Sequence, residues 1–162
     1  LLTYTRPLQL NSHPVRLAEL VEETIAFFEI DLERAHENIN VERHFPAAEL
    51  ICSMDPEQFQ QVILNLLQNA TQAMPEGGII DATVNATNTP DGPTATLVIS
   101  DTGVGMSSEV QGRLFTPFFT TKEDGTGLGL VTSKKIVEAH GGSIAVQSQP
   151  DQGTSFTISL PQ

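Results

Sequence analysis

Two asparagines one helical turn apart are the first side chains that could do chemistry. Asn65 and Asn69 lie in a run that predicts a helix over residues 56–74, within a polar stripe beside an apolar face. Asparagine costs roughly 0.5–0.7 kcal/mol against alanine inside a helix, so two of them in one helix need a reason. The amides either hydrogen-bond a neighbouring loop or give an oxygen ligand to a hard cation such as Mg²⁺. The stripe alone leaves both interpretations open.

Two glycine-rich segments could approach a nucleotide closely. Asp101 ends a predicted strand and precedes Gly103 and Gly105. Its carboxylate could accept a hydrogen bond from an exocyclic amine, while the glycines let backbone approach a flat ligand. The run GTGLGL at 125–130 opens a predicted helix, where free N–H groups and the positive helix end suit phosphate oxygens. A third cluster, GTSF at 153–156, by itself predicts only a hairpin turn.

Aromatic and cationic side chains follow the first glycine cluster. The segment RLFTPFFTTK contains Phe115, Phe118 and Phe119, which predict a small satellite core. Lys122 ends this segment, in a stretch otherwise short of cations. It could therefore contact a phosphate as a point charge.

The elements that position these residues are helices mixed with paired strands. An amphipathic helix is expected from Leu17 to about Asn38, and Asp55 is expected to cap the helix at 56–74. The other elements are expected as strands at 39–45, 50–54, 79–87, 94–100, 143–149 and 154–160, a turn-rich loop at 88–93, a short helix capped by Ser107 and a helix at 128–140. Because there is no regular βαβ rhythm, the expected fold is α+β. It is a two-layer sandwich whose mixed, mostly antiparallel sheet is covered on one face by about three helices.

The composition excludes some partners. The net charge of −12 disfavours nucleic acid and anionic membranes, both of which demand a basic face. A bound polyphosphate would then need a metal ion, backbone N–H groups and a few local cations. Cys52 is the only cysteine, which rules out an internal disulfide and favours a cytoplasmic setting.

The order of these segments resembles that of histidine kinase catalytic domains. The runs QVILNLLQNATQAM, DTGVGM, RLFTPFFTTK, GTGLGL and GTSFTISLP look like that family's N, G1, F, G2 and G3 boxes, over about residues 14–161. The family is part of an ATPase superfamily with gyrase, Hsp90 and MutL, which implies a Bergerat-type fold. The resemblance implies that the domain binds ATP and Mg²⁺ and transfers the γ-phosphoryl group to a histidine on a dimerisation domain, for signalling to a response regulator.

The resemblance also implies a division of the chain. Residues 1–13 would be the end of the upstream dimerisation helix and a linker, and residues 14–162 the catalytic ATP-binding domain. The parent protein would be a homodimer that could be anchored in a membrane, and the isolated domain would be a monomer. The acceptor histidine would lie upstream. The segment beginning at His36 imitates an acceptor motif, but it lacks the following proline and ends the domain's own first helix.

The resemblance assigns roles to individual residues. Asn69 would be the Mg²⁺ ligand, and Asn65, Asn69 and Lys122 would act in catalysis. Asp101 would accept the adenine amino group. The other nucleotide contacts would come from Ala73, Gly103, Gly105, Met106, Thr121, Lys122, Gly125, Thr126, Gly127, Leu128, Gly129, Leu130 and Thr154. Some relatives carry a basic residue where this chain has Gln72, which leaves more of the phosphate contacts to Lys122.

Asn65 bears on the choice between kinase and ATPase. The hydrolysing relatives have a water-activating glutamate at this position, and a neutral amide cannot take a proton, so little intrinsic ATP hydrolysis is expected. Two alternatives use the same fold: an anti-sigma-type serine protein kinase and a catalytically silent nucleotide-binding module. A gyrase- or MutL-type ATPase is disfavoured by Asn65 and by the acidic net charge.

Overall fold

A five-stranded sheet with helices on one face frames the domain. The computed structural model describes residues 9–120 and 129–162. The elements in chain order are β1 (His13–Arg16), α1 (Leu17–Arg34), β2 (Ile39–His44), β3 (Ile51–Met54), α2 (Pro56–Gln72), β4 (Gly78–Thr89), β5 (Gly92–Asp101), α3 (Ser108–Arg113), α4 (Gly129–Ala139), β6 (Ser143–Ser148) and β7 (Thr154–Pro161). The sheet order is β2-β4-β5-β7-β6, parallel between β2 and β4 and antiparallel elsewhere. The expected α+β sandwich is therefore confirmed.

Alternating side chains give the sheet a covered and an open face. Along β7, Thr154, Phe156, Ile158 and Leu160 are buried, and the residues between them are more exposed. The same alternation continues in β4 and β5. Helix α2 packs on this covered face between α1 and α4, and its apolar stripe is fully buried. The core is therefore one layer between sheet and helices.

Asp55 and His140 fix the start of α2. The Asp55 carboxylate accepts hydrogen bonds from the backbone N–H groups of Glu57 and Gln58, as expected for an N-cap. It also accepts one from Asn11 N at 2.9 Å, and this bond is the main cause that lowers the pKa of Asp55. His140 Nε2 accepts from Asp55 N at 3.0 Å, while its Nδ1 donates to the Ile136 carbonyl. His140 thus joins the end of α4 to the start of α2.

Three features differ from the sequence expectations. Helix α1 ends at Arg34 rather than near Asn38, because His36 adopts a left-handed conformation with φ of 54°. The β4–β5 connection is a tight turn rather than a six-residue loop, because pairing continues out to Thr89 and Gly92. Strand β1 was not expected; it pairs with β3 in a separate two-stranded sheet.

Among the helices of the described residues, none has the length and apolarity needed to cross a bilayer.

Candidate nucleotide-binding site

Asp101 ends β5 on the covered face of the sheet. Its Oδ1 accepts a hydrogen bond from Gly103 N at 2.8 Å, which fixes the orientation of the carboxyl group. Burial raises the pKa of Asp101, and the backbone hydrogen bonds from Gly103 and Thr154 partly oppose this rise. The site therefore holds a half-buried, oriented hydrogen-bond acceptor beside the end of α2.

Gly103 lets the loop after β5 touch the end of α2. A Cβ at this position would lie 2.4 Å from the Ala73 carbonyl oxygen, which is too close for any side chain. The same carbonyl accepts a hydrogen bond from Val104 N at 3.0 Å. Asp101, Gly103 and Ala73 are thereby brought together, and the space that glycine leaves at position 103 is taken by the Ala73 carbonyl, where the sequence analysis had expected a flat ligand.

Two further glycines seat the β6–β7 turn against this loop. Gly105 has φ of +67°, and a Cβ there would lie 1.8 Å from the Gln149 carbonyl oxygen. Gly153 has φ of +78°, and a Cβ there would lie 2.0 Å from the Asp101 carbonyl oxygen. Only glycine combines this backbone conformation with such close approach. The cluster at 153–156 is therefore more than a hairpin turn, because it supports the backbone of Asp101.

Ser148 and Gln111 complete this support, and the sequence analysis missed both. Ser148 Oγ donates to the Gly153 carbonyl at 2.9 Å, accepts from Met106 N at 2.8 Å and lies 2.8 Å from Thr154 Oγ1. Gln111 Nε2 donates to the carbonyls of Ser148 and Met106. No motif marks these residues. The pairing of Ser148 with Thr154 in the β6–β7 hairpin is the feature that brings Ser148 here.

A cavity of about 520 Å³ lies at the β6–β7 turn and touches Asp101 and Thr154. Its other walls come mainly from turn residues and from Gln147 and Ser155, which alternate with the covered-face residues of their strands. It does not include Ala73 or Met106. We therefore do not assign this cavity to adenine.

Asn65 links α2 to the first turns of α4. Its Nδ2 donates to the Gly129 carbonyl at 3.2 Å and to Ser133 Oγ at 3.1 Å, and its Oδ1 accepts from Gln61 Nε2 at 3.4 Å. Of the two interpretations of the amide stripe, Asn65 thus follows the hydrogen-bonding one. Asn69 follows one turn later and is half-buried.

The helix that follows the second glycine cluster is described only from Gly129. Gly129 lies beside the Asn65 amide, and the next residue, Leu130, is partly buried against the core. The remaining candidate residues of this region, Thr121, Lys122, Gly125, Thr126, Gly127 and Leu128, lie outside the described residues.

The three phenylalanines of the RLFTPFFTTK segment do not form one satellite core. Phe115 packs against the main core, with Lys134 Nζ 5.2 Å from its ring centroid. Phe119 lies under the Arg113 guanidinium, 4.6 Å away. Phe118 is 65% exposed and has φ of 65°. The satellite core expected from the sequence is therefore not seen: Phe115 packs against the main core, Phe118 is exposed, and Phe119 stacks with Arg113.

Replacing Asn65 by aspartate should weaken the α2–α4 contact. The carboxylate keeps the shape of the amide but cannot donate to Gly129 O or Ser133 Oγ, and it places a negative charge against the carbonyl. We expect the free energy of unfolding to fall by about 1–3 kcal/mol. Urea unfolding followed by circular dichroism measures this change. Gln61→Ala is the control, since it removes only a long, exposed contact and should cost less than about 0.5 kcal/mol. Equal midpoints for Asn65→Asp and the wild type would contradict the role of Asn65.

Comparisons with known proteins identify the family of this chain. Residues 54–162 match the family model described as histidine kinase-, DNA gyrase B-, and HSP90-like ATPase. The chain is 37% identical over 163 residues to the sensor histidine kinase ZraS of Klebsiella oxytoca, covering 99% of this chain and 34% of that protein. It is 42% identical over 135 residues to sporulation kinase E of Bacillus subtilis, covering 82% of this chain and 18% of that protein. The chain thus spans about a third or less of the length of these relatives.

Solved structures show the same fold. The catalytic domain of histidine kinase ThkA, in a nucleotide-free form, superposes with a TM-score of 0.81 at 31% identity, covering 93% of this chain and 95% of that one. Full-length ShkA, solved in complex with AMPPNP, gives a TM-score of 0.80 at 27% identity, covering 96% of this chain and 32% of that one. The chain belongs to the histidine kinase-, DNA gyrase B- and HSP90-like ATPase family and is a catalytic domain of the sensor histidine kinase type.

Proposed function

We propose that this domain binds ATP with Mg²⁺ and transfers the γ-phosphoryl group to a histidine outside the chain. The observation that carries the proposal is the arrangement of Asp101, Gly103 and Ala73. It presents an oriented carboxylate acceptor beside the end of α2, where the loop after β5 packs closely on Ala73. Asp101 then accepts from the adenine amino group, and Gly105, Met106 and Thr154 border the base. The AMPPNP bound by the similar protein ShkA supports a nucleotide at this site.

The phosphate end of the site is assigned to α2 and the start of α4. Asn69 offers a neutral amide oxygen, which fits Mg²⁺, because this ion takes few protein ligands when phosphate oxygens and waters complete its shell. Mg²⁺ supplies charge neutralisation of the phosphates when bound, and a domain with a net charge of −12 needs it. Lys122 and the backbone of 125–130 are proposed to contact the phosphates, a role that their sequence motif alone supports.

The proposed chemistry is positioning rather than acid–base catalysis. An unprotonated nitrogen of the acceptor imidazole attacks the γ-phosphorus in line, the bond to the β–γ bridging oxygen breaks, and ADP leaves. Asn65 cannot act as a general base, since it is an amide and its Nδ2 already donates to α4. Water is therefore not activated at this position, and ATP hydrolysis by the isolated domain should be slow.

None of the four histidines of the chain suits the acceptor role. His13 lies in β1, His44 contacts Asp81, and His140 bridges α4 and α2. His36 is exposed and is itself the left-handed residue that follows α1. The proline that follows the acceptor histidine in the family's motif is missing here. We infer that the acceptor lies on an upstream dimerisation domain, which the residues before β1 join to this one. We further infer a homodimeric parent, a monomeric isolated domain, a cytoplasmic setting and a response regulator as the next partner.

Incubation with γ-labelled ATP and Mg²⁺ tests the proposed function. The domain alone should retain no label, and a separately supplied dimerisation domain of the parent should acquire an acid-labile, base-stable label. An acid-stable label would instead indicate serine phosphorylation. ATP binding without transfer would indicate a silent module, and rapid release of free phosphate would indicate an ATPase. Any of these three outcomes would overturn the histidine kinase proposal.

A further inference from the structure

We propose that Glu42, His44 and Asp81 form a binding site for a first-row divalent cation such as Zn²⁺. One ligand atom from each of these residues lies within 4.8 Å of the other two. His44 Nε2 is 2.8 Å from Asp81 Oδ1 and 3.9 Å from Glu42 Oε2. Imidazole nitrogen and carboxylate oxygen are ligands that Zn²⁺ accepts.

The sheet register places these three groups on the open face. Glu42 and His44 alternate along β2 with Val41 and Arg43, so both point away from the helices. Asp81 is the direct partner of Glu42 in the parallel β2–β4 pair. Strand β4 is itself paired with β5 on its other side, so the backbone below the ligands is held by a ladder. The cluster is thus set by strand pairing and not by a flexible loop.

The spacing needs little change to hold an ion. With metal–ligand bonds of about 2.0–2.2 Å in tetrahedral geometry, the ligand atoms lie roughly 3.3–3.6 Å apart. The two distances observed from His44 Nε2, 2.8 Å and 3.9 Å, lie on either side of this range. Side-chain rotation of Glu42 and His44, which are about half exposed, is sufficient to close the site. Solvent can supply the remaining ligand.

The charge of this patch also favours a cation. Arg43, the adjacent cation on β2, points to the covered face and pairs there with Glu22 and Glu29 of α1. The next residues on the open face, Asn40, Thr83 and Ser100, are uncharged. Two carboxylates therefore lie beside one imidazole, and a divalent cation neutralises their negative charge better than the histidine alone.

The ion should belong to the zinc-like class and should not require nucleotide. A nitrogen ligand favours Zn²⁺ and its neighbours over Mg²⁺, which prefers an all-oxygen shell. The cluster lies on the face of the sheet opposite to Asp101, so it is separate from the proposed nucleotide site. Its failure and that of the proposed function can therefore be told apart, because ADP binding should not change when the cluster is altered.

Calorimetric titration of Zn²⁺ into the tag-free, nucleotide-free domain tests the site. We expect one ion per domain, at least tenfold weaker binding in each of His44→Asn and Asp81→Asn, and no displacement by millimolar Mg²⁺. His36→Asn is the control, because it removes an exposed histidine outside the cluster, and it should bind Zn²⁺ like the wild type. Circular dichroism should show all variants folded.

A second measurement keeps the test independent of weak binding elsewhere. Zn²⁺ should shift the imidazole signals of His44 in the NMR spectrum before those of His13 and His36, and it should raise the melting temperature of the wild type but not of His44→Asn. The proposal is overturned if His44→Asn and Asp81→Asn bind Zn²⁺ as tightly as the wild type. It is equally overturned if His36→Asn loses the site.

Discussion

Asp101→Asn should lose ADP binding while the domain stays folded and changes its stability with pH less than the wild type does. The single amide oxygen of asparagine can accept from Gly103 N, as Asp101 Oδ1 does at 2.8 Å, whereas the carboxylate also accepts from the backbone of Thr154. Its NH₂ group would then face the adenine amino group, donor against donor. Losing a hydrogen bond to a charged acceptor and leaving a donor unpaired costs about 2–4 kcal/mol, or roughly 30-fold or more in affinity.

The stability half of this prediction follows from the raised pKa of Asp101. A carboxyl group whose pKa is higher in the folded than in the unfolded state favours folding when protonated, and that contribution is lost as pH rises through the folded-state pKa. At neutral pH the ionised, half-buried group therefore reduces the stability of the wild type. Asparagine is neutral at every pH, so the free energy of unfolding of the variant, relative to that of the wild type, should be highest near pH 7 and should fall on acidification.

Calorimetry with ADP and Mg²⁺, together with urea unfolding at pH 7 and below pH 4, measures both effects. Asp91→Asn is the matched control, because Asp91 is an exposed carboxylate in the β4–β5 turn. It should change neither ADP affinity nor the unfolding midpoint at pH 7. An ADP affinity of Asp101→Asn within threefold of the wild type would remove Asp101 from the adenine site.

Local signals in the sequence predicted the parts of the fold that depend on neighbouring residues. Asp55 caps α2 and Ser107 caps α3 as expected, because a capping side chain contacts N–H groups two or three residues away. The left-handed conformation of His36, which ends α1, was not predictable in this way. Histidine adopts this conformation more often than most residues but much less readily than glycine. The position is set where the Glu37 N–H donates to the Leu32 carbonyl.

In the candidate site, too, the residues close together in the sequence could be predicted and those joined by distant contacts could not. Asp101 and its glycines stand close together in the sequence, so their chemistry could be inferred from spacing. Ser148 and Gln111 are ordinary polar residues in their elements, and they join the site only through hairpin pairing and the packing of α3 beside β6. Asn65 lies between these cases. Its position in a helix indicated a role, but the partner that decides this role, α4, is 64 residues away in the sequence.

Gly153→Ala should both destabilise the domain and weaken ADP binding. Gly153 has φ of +78°, and an added Cβ would lie 2.0 Å from the Asp101 carbonyl oxygen. The left-handed conformation costs a non-glycine residue of order 1 kcal/mol or more, and relieving the overlap adds about 1–3 kcal/mol. We therefore expect the free energy of unfolding to fall by about 2–4 kcal/mol. The backbone that moves is that of Asp101, so the carboxylate proposed to bind the adenine amino group should move with it.

Substitutions at two other glycines distinguish backbone strain from Cβ overlap as causes of the lost stability. Gly92 has φ of +118° with no atom within 4 Å of an added Cβ, so Gly92→Ala should show backbone strain alone. Gly112 is open and lies within α3, where alanine is the better helix former, so Gly112→Ala should be neutral or stabilising by up to about 1 kcal/mol. Neither substitution should alter ADP affinity measured by calorimetry. If Gly153→Ala costs no more than Gly92→Ala and binds ADP normally, the β6–β7 turn does not position Asp101.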